Sequence, residues 1–98
     1  MNIEDYALKL CAWPGPSGFE SAVTDAAEEL LRPLADEVRR DVMGNLFGLR
    51  RCHKPGAKKL LLDAHLDEVG FIVTEITEGF LRFDAIGGQT PGCSPAVR

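Results

Sequence analysis

The stretch KLLLDAHLDEVGFIVTEI, Lys59 to Ile76, decides how this chain is read. An apolar run, Leu60 to Leu62, feeds into His65, Leu66 and Asp67, and a β-branched run resumes at Val69. Leu60-Leu61-Leu62 lacks alternation, which suits a strand buried on both faces and predicts the central strand of an α/β layer. On an extended chain, side chains alternate faces, so His65 and Asp67 project to one side about 7 Å apart while Leu66 and Glu68 point the other way. An imidazole with a carboxylate placed to fix its ring is half of a metal site. The competing reading is a satisfied polar pair at a strand end.

Outward from this stretch, the C-terminal side predicts a hairpin: Val69 to Thr74 and Phe80 to Phe83 flank Thr77-Glu78-Gly79, and Gly87-Gly88 follows as a break. On the N-terminal side, His53 to Lys58 is a polar Pro-Gly loop. Before it, Val38 to Val42 reads as a strand, Met43-Gly44-Asn45 as its turn and Leu46 to Arg50 as the returning strand. Ser21 to Arg32 carries Val23, Ala27, Leu30, Leu31 and then Leu34 on one face, with Ser17 or Ser21 as its cap and Pro33 as its end. Trp13 to Glu20, WPGPSGFE, is a loop fixed by two prolines and two glycines. At the start of the chain, Ile3, Tyr6, Ala7, Leu10 and Cys11 form the stripe of a short helix capped by Asn2.

Composition narrows the function. Ninety-eight residues suffice for one small domain with a modest core. Eleven basic against 15 acidic residues, net charge −4, leave no electrostatic footprint for nucleic acid or an anionic membrane. No apolar run approaches the roughly 20 residues that span a bilayer, and MNIEDYALKL has acids where a signal peptide starts basic, so the expected location is cytoplasmic. Three widely spaced cysteines argue against a disulfide framework, and adjacent Cys52 and His53 are poorly placed to chelate one ion.

The succession PSGFE, DVMGNLFG, LLLDAHLDEVGFIV, a short hairpin and then IGG resembles the N-terminal portion of the M42 metallo-aminopeptidases, also labelled glutamyl or deblocking aminopeptidases or endoglucanase M. The likeness runs from Asn2 to Gly88. It implies a di-metal exopeptidase acting on peptides, with two zinc or cobalt ions, a phosphorylase/hydrolase-like α/β catalytic domain, a β-rich domain inserted after the His-x-Asp segment, and large hollow homo-oligomers. On that likeness His65 matches a metal ligand and Asp67 the acid that orients it, the one residue here with a catalytic assignment. Residues 1–67 are then the first part of the catalytic domain, comprising two helices, a hairpin and a central strand, and residues 68–88 open the inserted domain.

Peptide hydrolysis by two ions needs a bridging carboxylate, further ligands and a general-base Glu, which the family carries downstream. Asp63, Asp67 and Glu68 lie on one strand with His65 and cannot wrap around an ion, so this chain alone is expected to be an inactive fragment. Residues 89–98, QTPGCSPAVR, depart from the family pattern. Read from the third base of the Gln89 codon, permitted codons give DPRVLSGR, which fits that pattern, so a frameshift near Gly88 is expected. Two other functions compete. A non-enzymatic α/β module would dock or self-associate through exposed strands. A glycoside hydrolase needs carboxyl groups about 5 to 9.5 Å apart, whereas Asp67 and Glu68 face apart and Asp63 lies about 13 Å from Asp67.

Overall fold

The computed structural model describes residues 1–88, and the expected out-of-frame tail, Gln89 to Arg98, lies outside the described residues. The first helix, α1, spans Ile3–Cys11 and is closed at its start by a reciprocal capping box. The Asp5 amide donates to Asn2 Oδ1 and the Asn2 amide to Asp5 Oδ2, each at 2.9 Å, so two amide protons that a helix start leaves unpaired are satisfied. Helix α2 spans Ser21–Leu31, continues into a 3-10 turn at Arg32–Leu34, and stops there because Pro33 cannot donate to the ladder. Neither serine caps it. Glu20 occupies the cap position without a side-chain bond, and the Ser17 hydroxyl is engaged by Asp67 instead.

Strands β1, Glu37–Arg40, and β2, Leu46–Leu49, pair antiparallel with Val38 opposite Gly48 and Arg39 opposite Phe47. The Arg39 guanidinium lies 4.5 Å from the centre of the Phe47 ring, a cation–π pairing across the ribbon. The first strand ends two residues earlier than the sequence pattern predicts, because Asp41 has a better use than pairing. Its carboxylate accepts from the Met43 amide at 3.0 Å, the Asn45 amide at 2.9 Å and the Asn45 side-chain amide at 2.8 Å. These bonds draw Asp41 into the turn, which Gly44 completes with φ of +88°.

Helix α2 lies on this ribbon. A Cβ on Gly48 would come 2.7 Å from Leu31 Cδ2, so glycine sets how closely helix and strand approach. Arg40 adds a polar tie, reaching Asp25 and Glu28 at 2.6 Å each. The core is small. Val23 is the one buried hydrophobic residue among the described residues, 4% exposed, with Thr24 buried beside it.

Strands β3, Gly70–Thr77, and β4, Phe80–Ile86, form a second antiparallel ribbon with a register shift between Val73 and Glu75. Its two-residue loop has φ of +49° at Glu78 and +81° at Gly79, the pattern that follows the natural twist of a hairpin. Phe71 meets Phe83 edge to face at 4.9 Å between ring centres.

The expected central strand at Leu60–Leu62 does not form. These residues belong to no strand, and each is 84% exposed. A strand exists only where a neighbour completes its hydrogen bonds, and both ribbons here pair within themselves. The described architecture is thus a small α/β arrangement of two helices and two separate two-stranded sheets. It is elongated: the radius of gyration is 18.1 Å, against about 13 Å for a compact domain of this length.

Candidate functional site

The predicted pair meets. The imidazole Nδ1 of His65 lies 3.1 Å from Asp67 Oδ1 and 3.0 Å from the Asp67 carbonyl oxygen, so the two side chains share one side of the segment. Both oxygens only accept, so Nδ1 is the donor, and in the neutral ring this leaves the lone pair on Nε2. The ring is otherwise open, its side chain 86% exposed.

What holds Asp67 was not legible in its own neighbourhood. The Ser17 hydroxyl, fifty residues earlier, donates to Asp67 Oδ2 at 2.5 Å. This bond is the main cause that holds the Asp67 carboxyl below its ordinary range; partial desolvation opposes it, and the nearby imidazole adds to it.

The serine is delivered by the loop of residues 13–20, whose shape comes from its own prolines and glycines. The Phe19 amide donates to the Pro16 carbonyl at 2.8 Å, the Gly18 amide donates to the Glu20 carboxylate at 2.7 Å, and Gly18 takes φ of +89°. Glu68 then ties the loop to the His65 segment from both of its ends. Its carboxylate accepts from the Gly15 amide at 2.9 Å, and its own amide donates to the Gly15 carbonyl at 2.9 Å. Pro16 and Glu68 thereby form a parallel bridge. Gly15 is pressed from the other side as well, since a Cβ there would come 2.5 Å from Val23 Cγ1. The loop therefore sits between the buried end of α2 and the His-x-Asp segment.

His65 and Asp67 line an open cleft of about 1040 Å³ between α2, the β1–β2 turn and residues 61–67. As donor chemistry, the Nε2 of an exposed ring whose Nδ1 is held by a carboxylate suits one position on a divalent ion. It is one position only. Among the described residues no group of three or more His, Cys, Asp or Glu side chains is arranged to hold a metal. Asp63 lines the same cleft, while Glu68 is turned to Gly15.

Known proteins resemble this chain. A family model described as M42 glutamyl aminopeptidase matches residues 44–98, a span that includes both His65 and Asp67. The lysyl aminopeptidase of Pyrococcus furiosus is 36% identical over 85% of this chain, which covers 24% of that protein. Among solved structures, a TET aminopeptidase from a marine-sediment archaeon of the Thaumarchaeota is 38% identical with a TM-score of 0.73, matched over 87% of this chain and 23% of its own. A protein named endoglucanase from Thermotoga maritima is 43% identical with a TM-score of 0.75, matched over 86% of this chain and 27% of its own. The chain thus spans about a quarter of the length of the relatives it matches. With a family match over more than half of its residues, and with the His-x-Asp pair inside that match, the chain belongs to the M42 peptidase family.

Proposed function

We propose that this chain is the N-terminal portion of a metal-dependent aminopeptidase that removes N-terminal residues from peptides, with His65 as a metal ligand through Nε2 and Asp67 as the acid that orients it. One observation carries the reading: His65 Nδ1 is engaged by Asp67 while the exposed ring lines the cleft. A divalent ion such as zinc or cobalt would supply Lewis-acid polarisation of the scissile carbonyl and a bound water of lowered pKa. This chain's own contribution is to hold the imidazole in one tautomer and to brace its carboxylate.

Residues 1–67 then begin a phosphorylase/hydrolase-like catalytic domain, and residues 68–88, with the β3–β4 ribbon, begin an inserted β-rich domain. The remaining ligands and the general base belong to sequence beyond this chain, which on its own is inactive. Such a parent would assemble into a large hollow homo-oligomer in the cytoplasm, a reading that the likeness to the TET aminopeptidase supports. Residues 89–98 are an out-of-frame tail on this reading.

A glycoside hydrolase, the activity that the Thermotoga name suggests, finds less support here. Asp67 is committed to Ser17 and His65, and Glu68 to Gly15, so neither carboxyl is free to act as half of an acid–base pair.

Two measurements test the proposal. The nucleotide sequence downstream should encode the remaining ligands in one reading frame, and the protein read through in that frame should release N-terminal residues from peptides in a metal-dependent way that His65→Ala abolishes. Calorimetric zinc titration of the 98-residue chain should show only weak binding. Submicromolar, stoichiometric binding lost in His65→Ala would show instead that the chain holds a complete site.

A further inference from the structure

The loop of residues 13–20 is anchored to the His65 segment twice, and the two anchorages do different work. Gly15 and Glu68 exchange a pair of bonds, one through the backbone and one through the Glu68 carboxylate. That exchange docks the loop through its backbone. Ser17 stands apart from that exchange, its hydroxyl spent on the carboxylate that faces the imidazole. Asp67 is consequently held at both oxygens, Oδ2 by Ser17 and Oδ1 by His65 Nδ1.

A carboxylate pinned at one oxygen rotates about its terminal torsion, which is broad for Asp. Pinned at both, its plane is fixed, and so is the oxygen presented to the ring. From this arrangement we infer that Ser17 is a positioning residue: through Asp67 it sets the tautomer and orientation of His65, so that Nε2 faces the cleft as an acceptor. The inference rests on the reading of His65 as a metal ligand. Ser17 would act through Asp67, the carboxylate its hydroxyl bonds, and not on the ring directly.

The expected effect follows from removing one charge-assisted bond. Loss of the Ser17 hydroxyl should lower the ratio of the Nδ1–H to the Nε2–H tautomer of His65 roughly threefold to tenfold. Only two histidines are present, His53 and His65, so long-range proton–nitrogen spectra of the uniformly labelled chain resolve both rings. The wild type should show His65 mainly with Nδ1 protonated. Ser17→Ala should shift it toward the other tautomer, Ser17→Cys, a weaker donor, should fall between, and Ser17→Thr should restore the wild-type ratio. An unchanged Gly15 amide signal shows that the loop remains docked in each variant.

Zinc ions added to the wild type form the second arm, read at the His65 Nε2 resonance. If Ser17→Ala and Ser17→Cys leave the ratio unchanged while zinc still perturbs Nε2, the role of Ser17 is overturned and the ligand reading stands. If the ratio shifts as expected but zinc leaves Nε2 untouched, Ser17 does position the ring and the ligand reading fails.

Discussion

Glycine 15 shows how much one missing methyl group can decide. A Cβ at this position would meet Val23 Cγ1 at 2.5 Å, and Val23, β-branched and in a helix, has essentially one rotamer to offer. At Gly48 the corresponding neighbour is a Leu31 methyl at 2.7 Å, on a side chain with more torsions to rearrange. Gly15→Ala is therefore expected to cost about 1–3 kcal/mol, the usual range for overpacking, and Gly48→Ala less, with Gly88→Ala near neutral because nothing among the described residues lies within 4 Å of its Cβ position. Urea unfolding followed at the Val23 methyl signals ranks the three. Sequence alone places His65 beside Asp67, because two residues on one extended segment need only alternation to meet. For Ser17 the pattern offers only a helix cap, shared as a candidate with Ser21. A hydroxyl three or four residues before a helix has a local use that pattern reading finds, whereas its actual partner is fifty residues away.

At the scale of elements, each hairpin is governed by its turn. In the β1–β2 turn, Asp41 is held below the ordinary carboxylate range, chiefly by the Asn45 side-chain amide. A carboxyl lowered on folding stabilises the folded form above its unfolded pKa of about 4, and that contribution is lost as pH falls through the lower, folded value. The Met43 and Asn45 amide signals should thus move together on acidification below pH 4, and Asp41→Ala should remove the transition. In the β3–β4 turn the strain is steric. Glu78 sits at φ of +49°, a region that costs most side chains about 1–2 kcal/mol and that Asn tolerates better. Glu78→Asn should raise hairpin stability by up to about 1 kcal/mol, read by amide exchange at Thr77 and Phe80. The elements themselves were largely visible: Asn2 announces α1, and Glu78-Gly79 announces the second hairpin. Leu60–Leu62 misled because an apolar run states a need for burial without stating that a neighbouring strand is present to satisfy it.

Across the whole molecule, three consecutive leucines stand exposed beside a cleft, in a chain whose radius of gyration is 18.1 Å. Contiguous apolar surface of this kind favours association. Sedimentation velocity should show the chain's mass average rising with concentration, and Leu61→Lys should suppress that rise; a monomer at all concentrations would mean that these leucines are not adhesive. The clamp between Gly15 and Glu68 carries a different consequence, one of timing. It joins positions 53 apart, and closing a loop of that span costs on the order of 3.5 kcal/mol in chain entropy. Helix α1 and the first hairpin can form as they leave a ribosome, but the brace that Gly15 and Ser17 give to the His65 segment cannot exist until the polypeptide has been synthesised past residue 68 and has folded back. The chemistry-bearing corner of this chain is therefore assembled late, by its most distant contacts rather than by its strongest local preferences.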